Sequence, residues 1–400
     1  MAELVSNARS EAILDGAAIL GNARAVGAVL REEAAENERG RRLTPRAVDA
    51  LRSTGVFRMP MPRAWGGPEV DITTQIEIVE ELARADGSAG WCAMIGSDGG
   101  YYTAGLDDAV GRALYPDLDA VTAGWIQPAG RLQPVDGGYR LSGRWQFGSA
   151  CTFADVIISG CLVAGDDGAL AIGPEGFPDY RIAVLPADRY EILDTWDPTG
   201  LAGSGSNDYT TEDTFVPAEQ TFRFRDRRRA GTLYAWPGMF PVNLLGVPLG
   251  IARAALETAE AMLADKVLMP EMIAARDDPR VRTAIARVTA VVGSTRSYVY
   301  DVVGDFWTTL DAGDEPSHRQ RAALGGLYSH TIRSSREAVQ QLADTVGSAS
   351  IHRSCPLDRQ LRDLTTMSQH VLGQLKLLDV VGGLQLGADL THPFVAEKLL

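Results

Sequence analysis

A double change of hydrophobic period divides this chain of 400 residues. From Glu11 to about Tyr115, apolar residues recur every three to four positions: Ile13, Ala17, Ile19/Leu20, Ala23, Val26 and Val29/Leu30 form the first such stripe, the spacing of one helix face. Thr44-Pro45 reads as an N-cap followed by a first-turn proline, and opens a helix that stops at Gly55. PMPRAWGGPEVD (60–71) is a turn-rich connector, after which Ile72 to Arg84 resumes the helical period. Beyond Pro116 the pattern turns to β. Leu132 to Val135, Tyr139 to Ser142 and Arg144 to Phe147 favour strands, with Asp136-Gly137-Gly138 as a hairpin turn; Val156–Val163, Tyr180–Leu185 and Asp213–Pro217 follow. From Pro241 the helical period returns in four long segments, about 242–266, 279–310, 317–346 and from Pro356 into the 380s. This order predicts an α+β fold in three parts: an N-terminal α-helical domain (1–118), a middle β domain of barrel or sandwich form (119–225) and a C-terminal four-helix bundle (226–400).

Charge and cysteine usage narrow the function classes. A formal net charge of −14 argues against a nucleic-acid or anionic membrane surface, which would need clustered Lys and Arg. The one basic run, RFRDRRR from Arg223 to Arg229, is short and reads as a solvated loop or subunit contact. Cys92, Cys151, Cys161 and Cys355 are scattered without metal-site or disulfide spacing, which fits a reducing cytosol and no metal. MAELVSNARSEAILDGAAILG carries acids where a signal peptide needs a basic start, and no uninterrupted apolar run approaches membrane-spanning length. A soluble cytoplasmic protein is expected.

Three local features carry chemistry. No G-x-G-x-x-G joins a strand to a helix, so a Rossmann site is unsupported. Leu201-Ala202-Gly203-Ser204-Gly205-Ser206-Asn207-Asp208 is either a flexible inter-strand loop or one whose amides and hydroxyls approach a phosphate or an acyl or aromatic substrate. In GRWQFGSA (143–150), Trp145 and Phe147 lie two apart and are expected on one strand face, as sheet packing or as an aromatic wall for a planar cofactor with Ser149 at its polar edge. Arg359, Asp363, Thr366 and His370 fall at helical spacing on a polar stripe; His370 is a general acid–base candidate or a structural imidazole.

The order and context of these segments resemble one family. MPRAWGGPEVD (61–71), ARADGSAGW (83–91), GGYRLSGRWQFGSACTFAD (137–155), DTWDPTGLAGSGSND (194–208), GVPLGIARAALE (246–257) and SCPLDRQLRD followed by His370 resemble the acyl-CoA dehydrogenase fold, and within it the two-component flavin-dependent monooxygenases. The likeness runs from about residue 10 to residue 390. It implies that Trp145, Phe147 and Ser149 lie along the flavin ring, with Ser149 near its N5 and C4a edge, and that Ser206 approaches flavin or substrate. It also implies that Gly347 and Ser348 reach a neighbouring subunit's cofactor in a homotetramer.

Many dehydrogenases of this fold carry a catalytic glutamate about nine residues after the Arg-Asp pair matched by Arg362-Asp363. Here Leu364 to Leu372 reads LTTMSQHVL, with no glutamate, and His370 stands where the monooxygenases carry their active-site histidine. The resemblance therefore implies reduced flavin, FMN or FAD, delivered by a separate NAD(P)H flavin reductase. Oxygen would react at the flavin to give a C4a-hydroperoxide, with Ser149 and His370 stabilising it and a small aromatic or amine substrate being hydroxylated. Trp91, Tyr101, Tyr102, Trp236 and Phe240 are candidates for an aromatic substrate pocket, or for packing between domains. The alternative is a dehydrogenase using Glu257 or Glu260 as base.

Overall fold

The computed structural model describes residues 14–165, 169–174, 176–388 and 390–400; Glu11 and Ile13, where the first helical pattern begins, lie outside them. Helix α1 (Gly16–Gly40) starts at Asp15, whose carboxylate accepts the Ala18 N–H at 2.8 Å. Helix α2 (Pro45–Thr54) has the expected Thr44 cap and ends on Gly55 at φ 78°, a left-handed position that favours glycine. Helices α3 (Ile72–Ala85), α4 (Gly87–Gly96), α5 (Gly99–Thr103) and α6 (Asp108–Leu114) complete the N-terminal helices.

Among the described residues seven strands follow: β1 (Thr122–Val135), β2 (Gly138–Gly148), β3 (Val156–Val163), β4 (Tyr180–Pro186), β5 (Glu191–Leu193), β6 (Asn207–Pro217) and β7 (Thr221–Phe222). They make one mixed sheet of order β5-β6-β2-β1-β3-β4-β7, with β1 and β3 parallel and the other neighbours antiparallel. Alternate residues enter different cores: Ile157, Ala183 and Leu185 join Trp145 and Tyr209, whereas Ile158, Ile182 and Val184 join Tyr102, Tyr115 and Phe224.

The C-terminal region opens with α7 (Gly246–Ala264), then a short hairpin of β8 (Val267–Leu268) and β9 (Ile273–Ala274). Helices α8 (Pro279–Asp311), α9 (His318–Val346), α10 (Pro356–Met367), α11 (Leu377–Leu386) and α12 (Pro393–Ala396) follow. The fourth bundle segment is thus broken, not continuous into the 380s. The chain turns back after Met367, bringing Gly373 so close that a Cβ there would lie 3.1 Å from the Met367 carbonyl oxygen. The 237–264 segment is also long and apolar enough to cross a membrane, contrary to the sequence reading, but 78% of its apolar window is buried in the fold, as in a core helix.

One core joins the N-terminal helices to the bundle, drawing on α1 to α4 and α7 to α11. The glycines of GVPLGIARAALE explain the closeness of α3 and α7: a Cβ at Gly246 would sit 2.5 Å from the Ile76 carbonyl oxygen, and one at Gly250 would sit 2.2 Å from that of Glu80. The fully buried Glu80 carboxylate then pairs with Arg253 at 2.6 Å and Arg296 at 3.0 Å, which pins α3 to both α7 and α8. Removing both arginines would leave the buried Glu80 charge uncompensated. The basic run is a second tie within the chain. Arg227 donates to the Tyr101 carbonyl at 2.7 Å, and Arg229 donates to Thr103 Oγ1 at 2.9 Å while lying over Trp65. Its arginines hold α5 against the approach to the bundle.

Candidate active site

Three segments distant in sequence meet at Trp91 on α4. At the end of β2 the pairing slips: Trp145 faces Tyr209, yet Gly148 faces Asn207, so the bulged strand carries one extra residue. Phe147 (φ 57°) and Ala150 (φ 64°) take left-handed conformations across this bend. The two aromatics therefore do not share a face. Trp145 turns inward, fully buried, stacks on Tyr209 at 5.3 Å and donates its Nε1–H to the Gly160 carbonyl at 2.8 Å. Phe147 turns outward, 53% exposed, with Trp125 and Trp196 edge-on at 5.7 and 6.2 Å. Trp145 is accordingly a core residue of the sheet, and the accessible aromatic surface at this bend is formed by Phe147 with Trp125 and Trp196.

The same bend aims Ser149 at two neighbours. Its Oγ accepts the Trp91 Nε1–H at 2.8 Å and lies 2.7 Å from Ser206 Oγ, which lies 2.7 Å from Ser204 Oγ. Ser204 in turn donates to the Leu201 carbonyl at 2.6 Å. The segment holding these serines is packed, not a loose loop: Leu201 to Tyr209 are all buried. Its glycines are sites of close approach, since a Cβ at Gly200 would meet the Arg362 carbonyl oxygen at 2.1 Å and one at Gly203 would meet the Asn37 Cβ at 2.9 Å. Asp363 on α10 accepts the Leu201 N–H at 2.6 Å and so fixes this segment to the bundle. Burial pushes the Asp363 carboxyl up to about 7, with repulsion from Asp86 adding to it.

His370 completes the group. It is not on the α10 face with Arg359, Asp363 and Thr366, because the helix stops at Met367; instead it caps the turn Val371–Gly373. Its imidazole meets the Trp91 indole edge-on, with ring centres 5.5 Å apart. Nδ1 faces the Leu372 N–H at 3.4 Å, which places the ring proton on Nε2. His370 is half-buried, and burial lowers its pKa to about 4. His370 is neutral at pH 7 and presents a donor.

The other sequence candidates lie elsewhere. Tyr101 is buried, with its hydroxyl on Gln75 Oε1 at 3.1 Å. Tyr102 and Phe240 pack together with Phe224 in the core between sheet and helices, and Trp236 packs on Phe306. These four are packing residues; of the five pocket candidates, only Trp91 touches Ser149 and His370. Gly347 (φ 74°) and the exposed Ser348 follow α9, at the opposite end of α10 from His370. Glu257 is exposed and bound to Arg84 at 2.8 Å, and Glu260 is exposed as well, so neither points at this group as a base.

Comparison with known proteins fits this arrangement. Residues 21–106 match the acyl-CoA dehydrogenase N-terminal domain, and residues 244–374 match the acyl-CoA dehydrogenase C-terminal domain. The chain is 30% identical over 372 residues to indole-3-acetate monooxygenase of Pseudomonas putida, covering 92% of this chain and 90% of that protein. It is 27% identical over 374 residues to the oxygenase component of the FADH2-dependent resorcinol hydroxylase of Rhizobium sp., covering 88% and 90%. The solved 3-HSA hydroxylase of Rhodococcus sp. RHA1 superposes with a TM-score of 0.86 at 25% identity, over 94% of this chain and 98% of that one.

The chain belongs to the flavin-dependent monooxygenases of the acyl-CoA dehydrogenase family. The residues of this oxygenase fit a flavin. Phe147, Trp125 and Trp196 give an accessible aromatic surface beside the polar edge formed by Ser149 and Ser206. A planar tricyclic ring with a polar margin needs that pairing of surfaces. Sequence reasoning missed Trp125, Trp196 and Ser204. Trp196 stands within DTWDPTG and Ser204 within the Gly-Ser-Gly-Ser segment, so both lay inside motifs already marked, but strand alternation wrongly put Trp145 and Phe147 on one face.

Proposed function

We propose that this oxygenase hydroxylates a small aromatic or amine substrate with reduced FMN or FAD supplied by a separate NAD(P)H flavin reductase. The reduced flavin supplies two electrons to O2, so that one oxygen atom enters the substrate and the other leaves as water. The convergence of Trp91, Ser149 and His370 carries this reading. Ser149 holds the polar edge of the bound ring, Trp91 fixes Ser149, and His370 offers Nε2–H to oxygen carried there. A neutral donor suits this task, because an imidazolium would readily release its proton and favour loss of peroxide before transfer. The names of the relatives, which act on indole-3-acetate and resorcinol, support an aromatic substrate.

A homotetramer in which Gly347 and Ser348 approach a neighbour's flavin belongs to the same reading, as does a cytoplasmic location, which the four free cysteines support. The test supplies reduced FMN or FAD with O2 and a panel of phenols, indoles and amines, and follows oxygen uptake with product mass. Substrate-dependent uptake and a mass gain of one oxygen are expected. Tight retention of oxidised FAD, with electron transfer from an acyl-CoA to an artificial acceptor, would overturn it.

A further inference from the structure

The serine chain beside Trp91 has only one possible direction. Its four contacts run Trp91 Nε1 to Ser149 Oγ (2.8 Å), Ser149 to Ser206 (2.7 Å), Ser206 to Ser204 (2.7 Å) and Ser204 to the Leu201 carbonyl (2.6 Å). Each contact needs one proton, and the indole N–H and the three hydroxyls supply one each. A carbonyl only accepts, so the Ser204 proton goes to Leu201. The Ser206 proton must then fill the contact with Ser204, and the Ser149 proton must fill the contact with Ser206. Any other assignment leaves two oxygens 2.7 Å apart with no proton between them. All three serines are at least nine-tenths buried, at 5% exposure or less, so water does not readily supply a substitute partner.

Ser149 Oγ therefore has one lone pair on Trp91, its proton on Ser206 and one lone pair left over. A ligand atom that meets it must donate. We infer that Ser204, which lies beyond Ser206 in the chain, is a positioning residue that locks Ser149 as an acceptor and thereby selects reduced over oxidised flavin. This rests on the flavin reading given under Proposed function, with Ser149 at the N5 edge of the ring as the family resemblance implies. The two flavin states differ at the relevant edge: the dihydroflavin carries N–H at N5, whereas oxidised flavin has a bare acceptor nitrogen there. An acceptor Ser149 satisfies the first and repels the second. Without the Ser204 hydroxyl, Ser206 is free to donate to Ser149, and the Ser149 proton becomes available to oxidised flavin.

Anaerobic titration of the full chain with FMN and FAD, each oxidised and each reduced with dithionite, tests this. The wild type is expected to bind the reduced form more tightly. In Ser204→Ala the ratio of oxidised to reduced dissociation constants falls by about five- to tenfold, the worth of one hydrogen bond, mostly through tighter oxidised binding. Ser204→Thr, which keeps a hydroxyl, retains the wild-type ratio. Ser204→Cys, which keeps the volume but donates weakly, moves it in the Ala direction and serves if the alanine variant is unstable. General loosening of the site would weaken both forms together and leave the ratio unchanged. An unchanged ratio in the Ala or Cys variant, or equal wild-type affinity for both states, overturns the inference while the flavin reading stands. A wild type that binds neither flavin overturns that reading and this one with it.

Discussion

Trp91 meets His370 edge-on, ring centres 5.5 Å apart and planes at 78°, while its own N–H is committed to Ser149. One indole thus sets the distance between a hydroxyl from the sheet and an imidazole from the bundle. The two groups stand on different elements, and α4 holds both.

His370→Ala is expected to raise the fraction of oxygen released as hydrogen peroxide at least severalfold, with flavin affinity changed by less than about twofold, since the residue faces oxygen rather than anchoring the cofactor. Peroxide yield per reduced flavin consumed reads the first, and anaerobic titration the second. The same variant carries a stability signature. The folded-state pKa of about 4 lies below the ordinary 6.5, so neutral His370 contributes stability that is present above pH 6.5 and is lost as pH falls toward 4. Thermal unfolding of the variant should lose less stability than wild type over that window.

Asp363 acts in the opposite direction. Its folded pKa of about 7 is raised above the ordinary 3.8, so its contribution is present below pH 3.8 and is lost as pH rises through 7. Asp363→Asn keeps an oxygen for the Leu201 N–H and removes the charge. Its melting temperature should therefore fall less than that of wild type between pH 4 and 7. Asp363→Ala, which leaves the buried N–H unpaired, should be destabilised by about 1–3 kcal/mol at all pH values. Differential scanning fluorimetry across pH separates the two.

Trp145 and Phe147 should separate stability from binding. Trp145→Ala empties a fully buried position and is expected to cost about 3–5 kcal/mol in urea unfolding. Phe147→Ala, at a half-exposed ring, should change stability by less than about 1 kcal/mol yet weaken flavin binding about tenfold or more. Equal flavin effects in the two variants at matched folded fraction would contradict the placement of the wall.

Ser149→Ala removes the acceptor at the flavin edge and leaves the Trp91 N–H without its partner. Loss of a buried hydrogen bond is worth about 1–3 kcal/mol. Reduced-flavin affinity should drop about tenfold or more, and peroxide release should rise, as read by titration and peroxide assay.

Much of the architecture was legible because it rests on local rules. The change from helical to alternating period placed the sheet between two helical regions, Thr44-Pro45 and Gly55 marked the ends of α2, and LTTMSQHVL showed the missing glutamate. Ser149, Ser206 and His370 were found as candidates from motif context, although nothing in their spacing said that Trp91 would join Ser149 to His370.

What the sequence determined by itself was the set of elements and most of the reactive groups, since period, caps and composition act over a few neighbouring residues. Tertiary structure alone decided which side chains face the site. The bulge after Trp145 reversed the side that Phe147 presents, because one extra residue breaks the two-residue alternation. The turn after Met367 took His370 off the helix stripe and set it beside Trp91. The direction of the serine chain depends on the Leu201 carbonyl, whose position follows from the grip of Asp363 on that segment. Contacts between α4, β2, the 201–206 segment and the turn after α10 exist only once the sheet and the bundle have closed on each other, and local sequence preferences do not encode that geometry.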